Sequence, residues 1–247
     1  MKKSIIVTGA STGIGRAIAE LFITKGYYVV MNSVHHQNLQ QTYHELGSPK
    51  NAIIIAGNIG DKAVGKELVN AAVEFSGHVD ILVNNAGVFS PKPFLDVEEQ
   101  DLDYFLTTNL KGTFFTTQSA IRSMLSNGGG SVINIGTVLV DHAITGFPAS
   151  APVSSKGGIH ALTRQLAAEF GKQNIRVNTI APGIIRSPLQ AKIGVNNADA
   201  LAGLHLLNRI GKTTDIAQMA YFLATNDFIT GGIFNVDGGH VAGHHFG

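Results

Sequence analysis

The chain has 247 residues, of which 44% are hydrophobic and 14% charged, with a formal net charge of +1 and no cysteine. This length suits one sizeable α/β domain spanning 1–247, while the balanced charge, without a cluster of Lys and Arg, argues against a nucleic-acid partner. Disulfide and thiolate chemistry are excluded, and no apolar run reaches the roughly 20 residues that cross a bilayer. Because the N-terminus runs directly into an apolar strand pattern, leaving no room for a cleavable signal peptide, we expect a cytoplasmic protein.

A glycine-rich turn follows the first predicted strand. The apolar run 4–7 leads into the segment 8–15, which carries Gly9, Gly13 and Gly15, and a helix pattern follows. Glycine permits backbone conformations closed to other residues and lets a ligand approach the main chain. The free N–H groups and positive dipole end at the start of a helix favour a phosphate. A glycine turn between a first strand and a first helix therefore predicts a bound dinucleotide.

Short apolar strands alternate with helix patterns along the rest of the chain. The further strands are predicted at 28–31, 52–56, 80–84, 131–135, 175–180 and 232–236, and the longer helices at 101–126 and 153–172. Nearly all-apolar strands of this kind are typical of a parallel sheet covered on both faces. The sequence therefore predicts a Rossmann-type, doubly wound α/β fold with a seven-stranded parallel sheet. Ligands of such sheets bind beyond the C-terminal strand ends, where the strand order reverses.

A set of motifs lies in order along the whole chain. They are Thr8-Gly9-x-x-x-Gly13-x-Gly15, Asn84-Asn85-Ala86-Gly87, Asn109 in the long helix, Ser155-Lys156-Gly157-Gly158, Arg176-Val177-Asn178, Ala181-Pro182-Gly183 and Val236-Asp237-Gly238-Gly239. In content, order and spacing the chain resembles the short-chain dehydrogenases/reductases. The resemblance implies an oxidoreductase that transfers a hydride between a nicotinamide cofactor and a small molecule. It also implies a homo-oligomer, either a dimer or a tetramer.

The resemblance further implies a set of cofactor contacts. In this family Lys156 would bond the ribose, Asn58 the adenine amino group, and Ser187 the nicotinamide amide. The full set of residues implied to bind the cofactor is Gly9, Ser11, Thr12, Gly13, Ile14, Gly15, Ser33, His35, Asn58, Ile59, Asn85, Ala86, Gly87, Lys156, Pro182, Gly183, Ile185 and Ser187.

Ser33 bears on the choice between NADP and NAD. It stands where NAD-preferring relatives carry an acidic residue that bonds the ribose 2′-hydroxyl, and no Asp or Glu occurs between Glu20 and Glu45. A 2′-phosphate would meet no repulsion there, and Ser33 and His35 could donate hydrogen bonds to it. We therefore expect NADP to be preferred. The basic residue that many NADP-preferring relatives place in the glycine loop is replaced by Thr12, and His35 equally fits an exposed residue at a helix start.

The proton donor of the resembled family is missing. The family uses a serine, a tyrosine and a lysine, helped by an asparagine, with the tyrosine four residues before the lysine. Lys156 and Asn109 match, and Thr137 replaces the serine, but Pro152 stands at the tyrosine position. Proline has no titratable group. It is tolerated in the first turn of a helix, where Ser150 would be the N-cap.

Three explanations for the lost tyrosine stay open. A histidine could supply the proton, with His142 and His205 as the candidates, so that the catalytic set becomes Thr137, Lys156, Asn109 and His142. The reaction could instead need no strong acid, as in hydride transfer to N5 of free FMN or FAD. The chain could also be a catalytically silent nucleotide-binding or regulatory protein.

Two further expectations concern the last third of the chain. The segment 188–210 is predicted to cover the substrate and to provide an apolar wall. The adjacent His244 and His245 lack a third ligand, so no metal site is expected. We expect this C-terminal tail to contact another subunit.

Overall fold

Seven parallel strands form the central sheet of the computed structural model, which describes residues 3–189, 194, 197–243 and 245. The strands are β1 (Ser4–Val7), β2 (Tyr28–Ser33), β3 (Ala52–Ala56), β4 (Ile81–Asn84), β5 (Gly130–Ile135), β6 (Ile175–Pro182), β7 (Ile185–Arg186), β8 (Gly211–Lys212) and β9 (Ile233–Val236). The sheet has the order β3-β2-β1-β4-β5-β6-β9, while β7 and β8 pair with each other outside it. The predicted seven-stranded, doubly wound sheet is confirmed, and its strand order reverses between β1 and β4.

Helices connect the strands and cover the sheet. They are α1 (Gly13–Thr24), α2 (His36–Glu45), α3 (Lys62–Ser76), α4 (Glu99–Phe105), α5 (Gly112–Ser126), α6 (Ser150–Phe170) and α7 (Thr213–Thr225). A π-helical segment (Leu106–Lys111) joins α4 to α5, and 3-10 turns lie at Phe94–Asp96, Val138–Val140, Gly171–Gln173 and Ala198–Leu204. None of the helices within the described ranges is long and apolar enough to cross a membrane.

Side chains of β1 alternate between two cores, one on each face of the sheet. Ile5 and Val7 share a core with Phe22 of α1, and Ile6 shares the other core with Met124 of α5. This alternation follows from the two-residue period of a strand. Each large apolar side chain buried in this way contributes about 1.5–3 kcal/mol. The sheet is therefore covered by an apolar core on each face.

Asn109 lies where the single helix predicted at 101–126 is divided into α4, the π-helical segment and α5. Its side-chain Nδ2 donates to the carbonyl oxygen of Val88 at 3.0 Å, and its Oδ1 accepts from the N–H of Val88 at 2.8 Å. A π-helical turn accommodates an extra residue in a helix and is often found at functional sites. The predicted helix over 101–126 is present, and the apolar stripe did not predict the π-helical segment inside it.

The start of α6 also differs from the prediction. The helix begins at Ser150 rather than at residue 153, and its N-cap is Ala149, so the prediction of Ser150 as N-cap is wrong. Pro152 lies in the first helical turn, where the missing N–H needs no intrahelical partner.

The predicted substrate-covering segment 188–210 is described only in part. Residues 190–193 and 195–196 lie outside the described residues, as do His244, Phe246 and Gly247 of the tail. The described part includes the 3-10 turn Ala198–Leu204 and, directly after this turn, the buried His205.

Hydrogen bonds tie the end of β1 to the end of β4. Thr8 Oγ1 accepts from the backbone N–H groups of Asn85 and Ala86, each at 3.0 Å. In return, Asn85 Nδ2 donates to the carbonyl oxygens of Thr8 at 2.9 Å and Gly9 at 3.1 Å. This β1–β4 clamp fixes the glycine turn at the point where the strand order reverses.

Replacing Thr8 with valine tests the β1–β4 clamp. Thr8 is 1% exposed, and the change removes the acceptor of the Ala86 N–H in a buried place. It also removes one of the two acceptors of the Asn85 N–H, which bonds the carbonyl oxygen of Val83 as well, at 3.2 Å. We expect the free energy of unfolding to fall by about 1–3 kcal/mol in urea denaturation. Thr116→Val is the matched control, because the buried Thr116 Oγ1 has no hydrogen-bond partner among the described residues. That control should be neutral or stabilising, and equal losses in both variants would contradict the role of the clamp.

Candidate active site

A cleft of about 500 Å³ lies beyond the C-terminal ends of the strands around β1 and β4. It brings together most of the residues singled out from the sequence, namely Gly9, Ser11, Thr12, Gly13, Ile14, Ser33, His35, Asn58, Ile59, Asn85, Ala86, Gly87, Thr137, Lys156, Pro182, Gly183, Ile185 and Ser187. Three others, Gly15, Asn109 and His142, do not line it. None of the described lining residues is Asp or Glu, so the cleft has no carboxylate to repel an anionic ligand.

The glycine turn has the geometry that a pyrophosphate requires. Gly9 and Gly13 have φ of +66° and +57°, a left-handed conformation that favours glycine. A Cβ at Gly9 would lie 2.9 Å from Ala86 Cα, and one at Gly15 would collide with the carbonyl oxygen of Gly9. Gly15 therefore permits close packing of α1 on the turn. Within the described residues of its first turn, α1 has no acidic residue and no side-chain cap, so its N–H groups face the cleft free to bind an anion.

Polar groups collect where β2 ends. Ser33 Oγ lies 2.8 Å from Ser11 Oγ, so the two hydroxyls bond each other across the cleft wall. Val34, His35 and Asn38 line the same corner at the start of α2. The first turn of α2 contains no acidic residue among those described. Hydroxyl, imidazole and amide donors thus surround a corner without a negative charge.

Asn58 lines the cleft beside β3 and is exposed. Its Oδ1 accepts a hydrogen bond from the N–H of Gly60 at 3.0 Å. Its amide nitrogen and the second lone pair of Oδ1 remain available to a ligand.

Lys156 projects from α6 into the cleft. Its Nζ donates to the carbonyl oxygen of Ile135, at the end of β5, at 2.6 Å. Burial lowers the pKa of Lys156 from 10.5 to about 8, because desolvation disfavours the ammonium form. A Cβ at Gly87 would lie 3.2 Å from Nζ, so this glycine keeps the space beside the amine clear.

Asn109 is fully buried behind the cleft and supports α6. Besides its two bonds to Val88, its Nδ2 donates to Ser155 Oγ at 2.9 Å, and Ser155 Oγ donates to the carbonyl oxygen of Pro152 at 2.6 Å. These contacts occupy both amide hydrogens and one lone pair of Asn109. The side chain joins the exit of β4 to the first turn of α6 and so orients the helix that carries Lys156.

Thr137 lies directly after β5 and lines the cleft next to Gly136. Its Oγ1 accepts from the N–H of Leu139 at 3.3 Å and starts the 3-10 turn Val138–Val140. The hydroxyl can still donate its own proton, and so it can bond a substrate oxygen. Pro152, by contrast, is buried and does not line the cleft.

The candidate histidines lie outside the cleft. His142 is exposed and packs edge-to-face on His240, with ring centroids 5.3 Å apart. His205 also packs on His240 at 5.3 Å, and its Nε2 accepts from the N–H of Ile184 at 3.1 Å. His205 therefore supports the loop after β6 from behind. Across the described part of the chain, no group of three His, Cys, Asp or Glu side chains is arranged to hold a metal ion.

Several lining residues were missed by the sequence reasoning. Phe89 stacks on Phe147 with ring centroids 5.9 Å apart, and Tyr104 and Thr108 line the same cleft. Leu189, which belongs to the predicted apolar wall 188–210, lines the cleft as well. The four-residue spacing of Tyr104 and Thr108 was a usable signal, because it places both on one helical face. Phe89 follows the motif after β4 and could have been found from that position. The side of the site beyond Lys156 is thus largely apolar and aromatic.

Comparisons with known proteins agree with this geometry. A family model described as enoyl-(acyl carrier protein) reductase matches residues 9–241. The 3-oxoacyl-[acyl-carrier-protein] reductase FabG of Thermotoga maritima is 33% identical over 243 residues, covering 97% of this chain and 98% of the relative. Subunit BbsD of the (2S)-[(R)-hydroxy(phenyl)methyl]succinyl-CoA dehydrogenase of Thauera aromatica is 33% identical over 238 residues, covering 95% of this chain and 94% of the relative.

Solved structures share the whole fold. ElxO with NADP bound has a TM-score of 0.91 at 31% identity and covers 98% of this chain and 100% of its own. An ElxO variant with a tyrosine replaced by phenylalanine, with NADPH bound, gives the same values. A short-chain type dehydrogenase/reductase from Mycobacterium marinum has a TM-score of 0.92 at 28% identity, covering 98% of this chain and 96% of its own. On the fold, the motifs and these matches, the chain belongs to the short-chain dehydrogenase/reductase family.

Proposed function

We propose that this protein is an NADP(H)-dependent oxidoreductase that interconverts a small, uncharged carbonyl compound and its alcohol. The observation that carries the proposal is one continuous cleft joining the glycine turn to Lys156 and Thr137, without a carboxylate among its described lining residues. Such a cleft suits a ligand with a pyrophosphate at one end and a reacting group at the other. NADPH, when bound, supplies the hydride.

The corner around Ser33 supports NADP rather than NAD. Ser11, Ser33 and His35 offer donors to a 2′-phosphate, and no described lining residue offers the carboxylate that would hold a free 2′-hydroxyl. ElxO, at 31% identity, holds NADP, and its tyrosine-to-phenylalanine variant holds NADPH. That variant indicates that a relative binds the cofactor without the tyrosine hydroxyl it has lost.

The walls beyond the lysine support an uncharged substrate. Val88, Phe89, Ile185 and Leu189 line this region, and Lys156 is the single Lys or Arg among the described lining residues. No second fixed cation is available there to hold a carboxylate or phosphate of the substrate. The names of the two curated relatives describe a 3-oxoacyl group on an acyl carrier protein and a hydroxy(phenyl)methyl group on a succinyl-CoA. They support a reaction between a carbonyl and a hydroxyl, while the absence of charge on the substrate rests on the cleft walls alone.

Within this proposal, the chain's own residues bind and orient. The turn N–H groups fix the pyrophosphate, and Thr137 Oγ1 donates to the substrate oxygen. Asn109 and Ser155 hold α6 so that Lys156 meets the cofactor ribose and the substrate. Reduction of free FMN or FAD, and nucleotide binding without catalysis, are the rival functions that the first experiment separates.

The first experiment measures cofactor binding and turnover. We expect NADPH fluorescence titration to give saturable binding, and NADPH absorbance to fall with uncharged aryl or alkyl ketones. A boiled sample and a Gly9→Val variant, whose new side chain would meet Asn85 and Ala86, are the controls. Turnover with FMN or FAD alone would favour the flavin reductase. Binding without any turnover would favour the silent protein, and no binding of NADPH or NADH would contradict every nucleotide-dependent function.

Ser33→Asp tests the 2′-phosphate corner. A carboxylate there repels a 2′-phosphate and bonds a 2′-hydroxyl, so the ratio of the NADPH to the NADH dissociation constant should rise roughly tenfold or more. Ser33→Ala removes the bond to Ser11 without adding charge and should change that ratio far less. Equal ratios in the wild type and Ser33→Asp would show that the phosphate binds elsewhere.

A homo-oligomer is also proposed, as a dimer or tetramer. Phe94 is 74% exposed and Leu95 93% exposed beside α4, and Phe114 of α5 is partly exposed as well. Exposed apolar side chains of this size are typical of a protein contact where they form a patch. We expect light scattering at micromolar concentration to give a mass of two or four chains. Replacing Phe94 and Leu95 with serine should lower that mass, whereas a wild-type monomer would contradict the proposal.

A further inference from the structure

Lys156 is one of three titratable side chains among the described residues that line the cleft. The other two are His35 and Tyr104. His35 follows β2, which lies three strands from β5, a separation of about 14 Å at the usual strand spacing. Tyr104 belongs to α4 and is 56% exposed, so water rather than a substrate surrounds much of it. Lys156 bonds Ile135, two residues before Thr137.

The amine of Lys156 has protons to give. One of its ammonium hydrogens bonds the carbonyl oxygen of Ile135, and no other partner of Nζ is found among the described residues. Gly87 has no side chain to fill the space beside Nζ, and a Cβ at Gly87 would lie 3.2 Å from Nζ. The nearby Asn109 amide is occupied by Val88 and Ser155. The remaining ammonium hydrogens therefore face the open cleft.

We propose that Lys156 is the acid that protonates the substrate oxygen, a task for which this chain lacks a tyrosine. The proposal rests on the proposed function. When the carbonyl carbon of the substrate gains a hydride, a C–H bond forms and the π pair of the C=O bond moves onto the oxygen. That oxygen takes a proton from Nζ, and the N–H bonding pair stays on nitrogen as a neutral amine. Water entering the cleft returns the proton to Nζ.

The surroundings of Lys156 suit an acid that works near neutral pH. Burial lowers its pKa to about 8, and no ion pair to Nζ is found within the described residues to oppose that effect. His160, one turn along α6, is its titratable neighbour; burial lowers the pKa of His160, opposed by Asp141 beyond it, so this neighbour is uncharged near pH 7. Beside Nζ on the side of the β4 exit lie Gly87 and the neutral Asn109. A donor with a pKa near the working pH is the efficient one.

A titration of the cofactor-free protein tests the state of the amine directly. With ¹³C-labelled lysine, NMR should show one lysine with a midpoint near pH 8, about two units below the usual value. That resonance should be missing in Lys156→Arg. If every lysine of the wild type titrates near its usual value, the acid proposed here is too weakly acidic and the proposal fails, whatever the activity.

The pH dependence of ketone reduction tests the proton transfer. Under conditions where hydride transfer limits the rate, kcat/KM of the wild type should fall tenfold per pH unit above about pH 8. Lys156→Arg keeps the positive charge with a far higher pKa. It should be at least tenfold slower and lack this fall up to pH 10. Tyr104→Phe is the matched control and should keep the fall at the same pH.

The outcomes separate this inference from the proposed function. Loss of the pH dependence in Tyr104→Phe would assign the proton to Tyr104, and an unchanged dependence in Lys156→Arg would exclude Lys156. Either result would leave NADPH-dependent reduction standing. NADPH titrations of each variant show whether it still folds and binds. Failure of the wild type to reduce any ketone would instead overturn the proposed function, and this inference with it.

Discussion

Hydrogen bonds between the ends of β1 and β4 hold the crevice where the strand order of the sheet reverses. Thr8 accepts two backbone N–H groups from the exit of β4, and Asn85 donates back to the carbonyl oxygens of Thr8 and Gly9. The clamp brings the glycine turn so close to β4 that a side chain at Gly9 has no room. The nucleotide-binding turn and the rest of the cleft depend on the β1–β4 clamp, because the clamp fixes the glycine turn after β1 against the exit of β4.

The reacting end of the cleft depends on a second set of contacts, centred on Asn109. Its amide joins the backbone of Val88 to Ser155, and Ser155 in turn bonds Pro152. These bonds hold the first turn of α6 in place. Pro152 itself has no group that could donate a proton. What remains at that end is a hydroxyl on Thr137 and an amine on Lys156. In the proposed reaction, the proton transfer at this end depends on the desolvated ammonium group of Lys156.

The fold could be predicted well because its signals are local and repeated. Apolar strands such as 52–56, and a glycine turn between a strand and a helix, have few alternative structures. The features that the sequence did not predict involve partners that are distant in sequence. The π-helical segment contains Asn109, whose amide bonds Val88, and His142 packs on His240 instead of lining the cleft. Neither partner is near in sequence.

The cofactor-binding part of the site could be predicted from the sequence, whereas part of the substrate side could not. The cofactor residues sit in motifs at strand ends, which the topology gathers into one crevice, and the structure places nearly all of them in one cleft. Phe89 and Tyr104 were missed as lining residues because loop paths and helix orientations decide which side chains turn inward. The acidity of Lys156 was also beyond sequence reasoning, since desolvation is a property of the folded surroundings.

A crystal structure with NADP and a bound ketone tests the central claim most directly, namely that this cleft reduces a carbonyl with lysine in place of tyrosine. We expect the nicotinamide beside Thr137 and the ketone oxygen within hydrogen-bond distance of both Thr137 Oγ1 and Lys156 Nζ. A ketone oxygen turned away from Nζ toward another acidic side chain, or a nucleotide bound outside the cleft, would contradict it.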